Sequence, residues 1–237
     1  MIVSIMQPGY LPWLGFFELV ACSDIFVIYD DVNYDKGSWR NRNKIRTPEE
    51  SSWITVPVLT KNNFGQKIKD VCINNNTKWS EKHIKSIVQN YGKGSFFGEY
   101  ISFFEQVYTQ HWDKLIELDM VIIDYLVNRL CINTKMIRSS QLEDITGAKT
   151  DRLVSICKQL KAEKYISPNG AKPYLETDKF LAENIDVRFQ NYEHPVYPQV
   201  FKGFISHLSV IDLIFNCGDR SLEVIMSGST IKSREAQ

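Results

Sequence analysis

Apolar and polar positions alternate along the chain in blocks that predict strands and helices in turn. Residues 1–6 (MIVSIM) form a short apolar run that ends at a Gln-Pro-Gly turn, residues 7–9. Residues 13–20 show the apolar spacing of a helix, and residues 25–29 form a second apolar run. This order predicts a βαβ unit, because continuous apolar strands are typical of a buried parallel sheet.

The alternation of helical and strand-like patterns continues to the end of the chain. It predicts strands at residues 53–59, 67–73, 136–137, 165–166 and 185–189, and helices at residues 79–91, 96–108, 112–131, 151–160, 179–183 and 208–217. We therefore expect an α/β fold of Rossmann-like type, with a mostly parallel central sheet and a helix-rich middle segment. No linker rich in Pro, Gly and Ser divides the chain, so we expect one domain over residues 1–237. Residues 79–131 could form a helical cap on it.

Composition and charge narrow the classes of partner. The chain has 237 residues, with 28 Lys and Arg against 28 Asp and Glu. Proteins that bind nucleic acid usually carry a basic excess, so this balance argues against nucleic acid as the main partner. No window approaches the roughly 20 apolar residues that a spanning helix needs, so we predict no membrane span.

The thiols and the first residues predict a cytoplasmic protein. The five cysteines are scattered and include no CxxC pair, which fits a reducing compartment better than a disulfide framework or a zinc site. Met1 leads directly into an apolar run without the cationic segment of a secretory signal.

No familiar metal or cofactor motif is present. The sequence lacks an HxxxH or HExxH pair, a GxGxxG motif, a Walker lysine and a GxSxG motif. We therefore predict no metal site, and the sequence requires no cofactor.

Polar residues follow the first two predicted strands, at the edge of the sheet where α/β proteins bind ligands. Gln7 and Tyr10 lie in the turn after the first strand, and Asp30 and Asp31 follow the second. A carboxylate at this edge could bind a sugar hydroxyl or act as a general base. Neighbouring strand residues point to opposite faces, so the two need not act together. In the alternative interpretation, one caps a turn and the other pairs with Arg40 or Arg42.

The segment from Trp39 to Asn43 (WRNRN) combines an indole, two guanidinium groups and two carboxamides. Arginine is suited to bidentate recognition of phosphate or carboxylate. Together with Lys36, this segment would suit a diphosphate or a nucleotide. A surface loop with ordinary ion pairs is the alternative.

Two further loops are candidates. His194 lies in a proline-stiffened loop after a predicted strand, where it could act as a general base or simply pack. The turn at residues 167–170 (SPNG) contains Asn169 and could bring backbone close to a ligand, or be a plain β-turn. We expect His83, His111 and His207 to lie on helices as packing residues.

Several of these residues belong to a pattern that extends over nearly the whole chain. Its parts are Met6-Gln7-Pro8, Tyr10, Pro12-Trp13, Gly15-Phe16-Phe17, Asp30-Asp31-Val32, Lys36, Trp39, Asn41-Arg42-Asn43, Trp53-Ile54-Thr55-Val56-Pro57, Trp79, Tyr91, Thr150, Arg152, Tyr165-Ile166, Tyr197, Gln199, Leu208-Ser209 and Asp212. In these features the chain resembles the WbqC-like family of bacterial proteins.

The resemblance implies a role in O-antigen or related surface-polysaccharide assembly. The function expected from it is a transferase that places an acyl or aminoacyl group, such as glycyl, on the amine of a nucleotide-linked amino sugar. In that reading Asp30, Asp31 or His194 removes a proton from the sugar ammonium. The residues expected to bind substrate are Gln7, Tyr10, Lys36, Trp39, Arg40, Asn41, Arg42, Asn43, Asn169, Tyr197 and Gln199.

Two other functions stay open at this point. The protein could bind a nucleotide sugar, or a partner enzyme of the same pathway, without catalysis. It could also be an ATP-dependent amide ligase. The sequence leaves the acyl donor, the sugar acceptor and the oligomeric state undetermined.

Overall fold

The computed structural model describes residues 1–60 and 65–231. Its strands are β1 (Ile2–Met6), β2 (Ile25–Ile28), β3 (Arg42–Arg46), β4 (Ser51–Thr55), β5 (Lys135–Arg138), β6 (Lys164–Ser167) and β7 (Asp186–Phe189). Its helices are α1 (Leu14–Ala21), α2 (Trp79–Tyr91), α3 (Phe97–Thr109), α4 (Leu115–Arg129), α5 (Thr150–Gln159), α6 (Thr177–Leu181), α7 (Val210–Cys217) and α8 (Ser221–Ser227). This is the predicted α/β class.

Five strands form a parallel sheet in the order β5-β2-β1-β6-β7. The chain moves outward from β1 to β2 and β5, then returns to the other side of β1 with β6 and β7. This is the strand order of the Rossmann-like arrangement, and it places a topological switch point between β1 and β6. Gln7 and Pro168 follow the carboxyl ends of these two strands.

Apolar side chains cover both faces of the sheet, which is why its strands read as continuous apolar runs. On one face, Phe26 and Ile28 of β2 join the larger core, which includes α1 and the three middle helices. On the other face, Val3 and Ile5 of β1 pack in a smaller core, to which residues of α5 and α6 contribute. Alternate residues of one strand therefore serve different cores.

The middle segment is helix-rich, as predicted. Helices α2, α3 and α4 occupy most of residues 79–131, and their buried residues belong to the same apolar core as α1. Whether the chain behaves as one domain over residues 1–237 stays a prediction, and residues 61–64 and 232–237 lie outside the described part. Each helix in the described part is too short or too polar to span a membrane.

A two-stranded antiparallel hairpin, β3 and β4, lies apart from the main sheet. The sequence pattern predicted a strand at residues 53–59, but β4 ends at Thr55 and its partner β3 was not predicted. The predicted strand at residues 67–73 is wrong: residues 68–70 form a 3₁₀ turn. Ile68 and Val71 are both buried, and a 3₁₀ turn places residues three apart on one side.

Candidate functional site

A cavity of about 310 Å³ opens at the carboxyl end of β1, beside the first turn of α1. We call it the sheet-edge cavity. It is lined by Met6, Gln7, Gly9, Pro12, Trp13, Phe16, Trp39, Arg40, Asn43 and His207. These residues come from the loop after β1, the start of α1, the segment that enters β3 and the loop before α7. The cavity lies next to the switch point, where sheets of this type bind ligands.

Two glycines allow the cavity walls to approach each other. A Cβ atom on Gly9 would lie 2.9 Å from the carbonyl oxygen of Trp39, and one on Gly15 would lie 2.4 Å from the Trp13 ring. Real Cβ atoms do not come this close, so a side chain at either position would displace its neighbour. Gly15 therefore lets the Trp13 indole lie across the first turn of α1.

Arg40 brings a permanent positive charge to the cavity wall. Its Nη1 donates to the backbone oxygens of Gln7 at 3.0 Å and Pro8 at 2.8 Å, while its Nε has no hydrogen-bond partner among the described residues. Burial lowers the pKa of Arg40, and Asp119 opposes this shift. Because a free arginine titrates above about pH 12, the group stays charged at neutral pH.

Asn43 fixes the shape of the loop opposite. Its Nδ2 donates to the backbone oxygen of Leu11 at 2.6 Å, and its Oδ1 accepts from the backbone N–H of Lys44 at 2.8 Å. Leu11 has a positive φ of 48°, which is uncommon for a leucine. The carboxamide therefore holds the β1–α1 loop in its turn and ties it to β3.

Two histidines meet at the cavity. His207 lines it and stacks on Trp13, with ring centroids 5.6 Å apart and planes at 15°. The His194 ring lies behind His207, with centroids 4.9 Å apart. His194 Nδ1 is 2.9 Å from the Pro195 oxygen, and Nε2 is buried without a partner in the described chain. Burial lowers the pKa of His194, so its imidazole is neutral at pH 7.

Tyr10 lies in the core, where its hydroxyl forms hydrogen bonds. Its hydroxyl is hydrogen-bonded to His83 Nδ1 at 2.8 Å and also to the Tyr108 hydroxyl. His83 donates to the Thr55 backbone, and burial lowers its pKa to about 4, so the ring is neutral. Nδ1 must then accept from Tyr10, and Tyr10 accepts from Tyr108. Tyr10 does not line the sheet-edge cavity.

Asp119 of α4 is a buried acid without a hydrogen bond. The residue is 1% exposed, and neither carboxylate oxygen has a partner in the described part of the chain. Burial raises the pKa of Asp119 well above its ordinary value, and the positive charge of Arg40 opposes that shift. Asp119 therefore lies within electrostatic range of the cavity wall, on its inner side.

Asp30 is held by a separate cluster at the ends of β2 and β5. It is fully buried and accepts from Arg138 Nε at 2.6 Å, Ser139 Oγ at 3.1 Å, Ser140 N at 3.0 Å and Ser140 Oγ at 2.8 Å. Burial alone would raise the pKa of Asp30, but the hydrogen bonds from Ser140 and Arg138 outweigh it and lower the pKa.

Asp31 belongs to the same cluster. Its Oδ1 lies 2.6 Å from Ser139 Oγ, whose single proton it shares with Asp30, and its Oδ2 accepts from Arg152. We call Asp30, Asp31, Arg138, Ser139, Ser140 and Arg152 the carboxylate cluster. The alternative interpretation of the sequence paired one of these acids with Arg40 or Arg42, but the arginines that bind them are Arg138 and Arg152. None of these six residues lines the sheet-edge cavity.

The other candidates fall into three groups. Gln7, Trp39, Arg40 and Asn43 meet in the cavity wall. Three others donate hydrogen bonds inside the protein. Asn41 donates to the Val56 oxygen, and Tyr197 and Gln199 both donate to Asp212. Lys36 and Asn169 are exposed, while Arg42 donates to the Gly37 oxygen. Their assigned roles stay predictions.

His207 was not recognised as a site residue from the sequence. The sequence predicted it on a helix as a packing residue, but it lies in the loop before α7 with a positive φ of 59°. Ser209 is the N-cap of α7, and its side chain accepts from the Ile211 N–H. Serine is a preferred N-cap, so this signal could have placed the start of the predicted helix after Ser209 and His207 in the loop before it.

Comparisons with known proteins identify the family. A model of the WbqC-like protein family matches residues 7–224. The chain belongs to the WbqC-like protein family. It is 36% identical over 218 residues to "Uncharacterized protein Rv1507c" of Mycobacterium tuberculosis, covering 91% of this chain and 94% of that protein. No solved structure matches the chain.

The WbqC-like match spans both clusters described above. It begins at Gln7, on the cavity wall, and continues beyond α7. Within residues 1–60 and 65–231, no group of three or more His, Cys, Asp or Glu side chains is arranged to hold a metal ion. The expectations of no metal and no required cofactor stay predictions.

Proposed function

We propose that this WbqC-like protein transfers an acyl or aminoacyl group, such as glycyl, to the amine of a nucleotide-linked amino sugar in O-antigen biosynthesis. The observation that carries the proposal is the paired imidazoles at the sheet-edge cavity, with His207 in the wall and His194 behind it at 4.9 Å. A neutral imidazole can accept a proton near neutral pH, which is what an ammonium nucleophile requires.

The chemistry needs one proton acceptor beside the amine. The amine nitrogen attacks the acyl carbon of the donor, a C–N bond forms, and the bond from the acyl carbon to the donor's leaving group breaks. His207 takes the ammonium proton at the cavity wall, and the His194 ring lies next to it, with centroids 4.9 Å apart. Gln7 and Asn43 face the cavity and orient the polar groups of the sugar.

Arg40 supports an anionic substrate. Its charge at the wall is balanced only in part, because Asp119 makes no hydrogen bond to it among the described residues and the pKa of Asp119 is raised by burial. An anionic group of the substrate that reaches the cavity wall would receive charge-assisted hydrogen bonds from the guanidinium group.

The test is a mass-shift assay with UDP- and dTDP-linked amino sugars and a panel of acyl donors. His207→Asn removes the imidazole and keeps a residue that tolerates positive φ. We expect it to reduce turnover by at least 10²-fold, as loss of a general base does, while the affinity for the sugar nucleotide changes little. His111→Ala is the matched control, because His111 is exposed and contacts Asp113.

Three results would count against the proposal. One is an unchanged mass for every pair of substrates with the natively folded protein. Another is full turnover in His207→Asn. In the third, His207→Asn loses affinity for the sugar nucleotide and no turnover is found with the wild type, which favours a non-catalytic binding protein. AMP or ADP release that depends on the acceptor would instead identify an amide ligase.

A further inference from the structure

The outer face of the β3–β4 hairpin presents aromatic and cationic side chains to solvent. Ile45 and Ile54 on its inner face are buried in the core. Lys44 lies directly opposite Trp53 in the strand register, and Arg42 is two residues before Lys44, so all three share the outer face. Trp39, from the segment that enters β3, joins them with its ring 4.8 Å from that of Trp53. We call Trp39, Arg42, Lys44 and Trp53 the hairpin platform.

The platform exposes an unusual amount of indole. Trp39 is 46% exposed and Trp53 is 40% exposed. Two adjacent tryptophans left this open form an apolar surface that core packing does not explain, and such surfaces commonly mark binding sites. Their rigid rings offer a large contact area at a low cost in conformational entropy.

The cations of the platform are held in place. The Arg42 guanidinium carbon is 4.4 Å from the Trp53 ring centroid, and Lys44 Nζ is 5.2 Å from it. Arg42 is also fixed by a hydrogen bond from Nη2 to the Gly37 oxygen. Nη2 is engaged in this bond and Nε is buried, so Nη1 is the group of the Arg42 guanidinium that remains for a phosphate.

The platform continues into the sheet-edge cavity through Trp39, which belongs to both. The cavity volume of about 310 Å³ is at the lower end of the range for sites that enclose a drug-sized ligand. A nucleotide-linked sugar is larger than a ligand that this cavity can enclose, so part of it must lie outside. Among the described residues, Trp39 both lines the cavity and contacts Trp53 of the hairpin platform.

We propose that the hairpin platform binds the nucleoside diphosphate half of the substrate while the sugar occupies the cavity. The base stacks on Trp39, and Arg42 and Lys44 bind the phosphates from their positions over Trp53. This inference rests on the proposed function for the identity of the ligand. It adds a division of that ligand between two surfaces, and it assigns binding roles to Trp53 and Lys44.

The experiment measures binding of UDP and of uridine by titration calorimetry, without any acyl donor. Trp39→Ala should weaken both ligands by roughly 5- to 150-fold, the effect of losing one base–aromatic stack. Arg42→Gln and Lys44→Gln should weaken UDP more than uridine and flatten the dependence of UDP affinity on salt. Trp53→Ala should resemble the two cation variants, because it removes the ring that holds both side chains. Tyr174→Ala, at an exposed aromatic residue away from the hairpin, is the control.

The outcomes separate this inference from the proposed function. Equal UDP affinity in the wild type and all platform variants would overturn the platform and leave the transferase proposal standing. No UDP binding to the wild type at millimolar concentration would overturn the platform and also the nucleotide part of the substrate. Binding of a nucleotide-free oligosaccharide that Trp53→Ala abolishes would overturn it in favour of a glycan surface. UDP binding that requires the platform, in a protein without transferase activity, would support the platform and refute the transfer step.

Discussion

Asp212 gives the protein a dependence of stability on pH that can be worked from the structure. The residue is fully buried on α7, and its Oδ2 accepts from the Tyr197 hydroxyl at 2.9 Å and from Gln199 Nε2 at 2.8 Å. Its Oδ1 has no partner in hydrogen-bonding geometry among the described residues. Burial raises the pKa of Asp212 from 3.8 to about 6, although the bonds from Tyr197 and Gln199 lower it.

The sign follows from where the proton is bound. Between pH 3.8 and about 6 the folded protein holds the Asp212 proton more tightly than the unfolded chain does. The free energy of unfolding from this group therefore falls as the pH rises through that window and is constant above it. A shift of roughly two pKa units corresponds to about 3 kcal/mol, of which about 2 kcal/mol is lost between about pH 4.5 and about pH 7.5.

The perturbation is Asp212→Asn, which keeps a side-chain oxygen for both donors and does not titrate. Urea unfolding at the two pH values gives the free energy of unfolding of each protein. At each pH we take the free energy of unfolding of the variant minus that of the wild type. This difference should be about 2 kcal/mol larger at about pH 7.5 than at about pH 4.5. Asp178→Asn, at an exposed acid, should show no such gain. If the difference between Asp212→Asn and the wild type is the same at both pH values, the acid does not titrate as argued.

Three other substitutions test the remaining buried groups and one close contact. Asp30→Ala should lower the free energy of unfolding by about 3 kcal/mol at neutral pH, because it removes a carboxylate of lowered pKa from four donors. This loss relative to the wild type should become smaller as acid protonates Asp30 in the wild type. Gly15→Ala should cost about 1–3 kcal/mol in urea unfolding, because the added Cβ displaces the indole above it, whereas Gly98→Ala, with open space on α3, should not destabilise. Asp119→Leu should raise the free energy of unfolding by about 1–3 kcal/mol, since it removes an unbonded acid, and Asp124→Leu on the exposed face of α4 should not. Reversal of either contrast between variant and control would contradict its reasoning.

The sheet was predictable where local pattern decides the structure. Residues 25–29 were predicted as a strand and β2 covers Ile25–Ile28, because a strand buried on both faces needs an unbroken apolar run. Strand β3 was missed because Ile45 is its only apolar residue. Its other inward position is Asn43, whose carboxamide is bonded to loop backbone. A hairpin that supports a site with polar side chains lacks the signal on which such predictions depend.

The sequence predicted where polar residues gather at the sheet edge, but it did not predict which residues they bind. The edge of the sheet after β1 could be located from the βαβ pattern, and four of the predicted binding residues meet there. The arginines that bind Asp30 and Asp31 could not be assigned, because Arg138 and Arg152 are more than one hundred residues away in sequence. Two nearer arginines were equally plausible on spacing alone.

The division of polar groups at this edge bears on which residue can serve as the base. For Asp30 or Asp31 to accept a substrate proton, the substrate would have to displace donors from carboxylates that already bind serine and arginine, and the lowered pKa of Asp30 opposes protonation further. The imidazole of His207 lies on the cavity wall, and the neutral ring of His194 behind it has a buried nitrogen that no other described residue binds. A base must reach the proton that it removes and have a pKa near the working pH. Access to the cavity favours His207, so under the proposed function removal of the histidine pair should lower turnover before it affects folding, whereas removal of Asp30 should do the reverse.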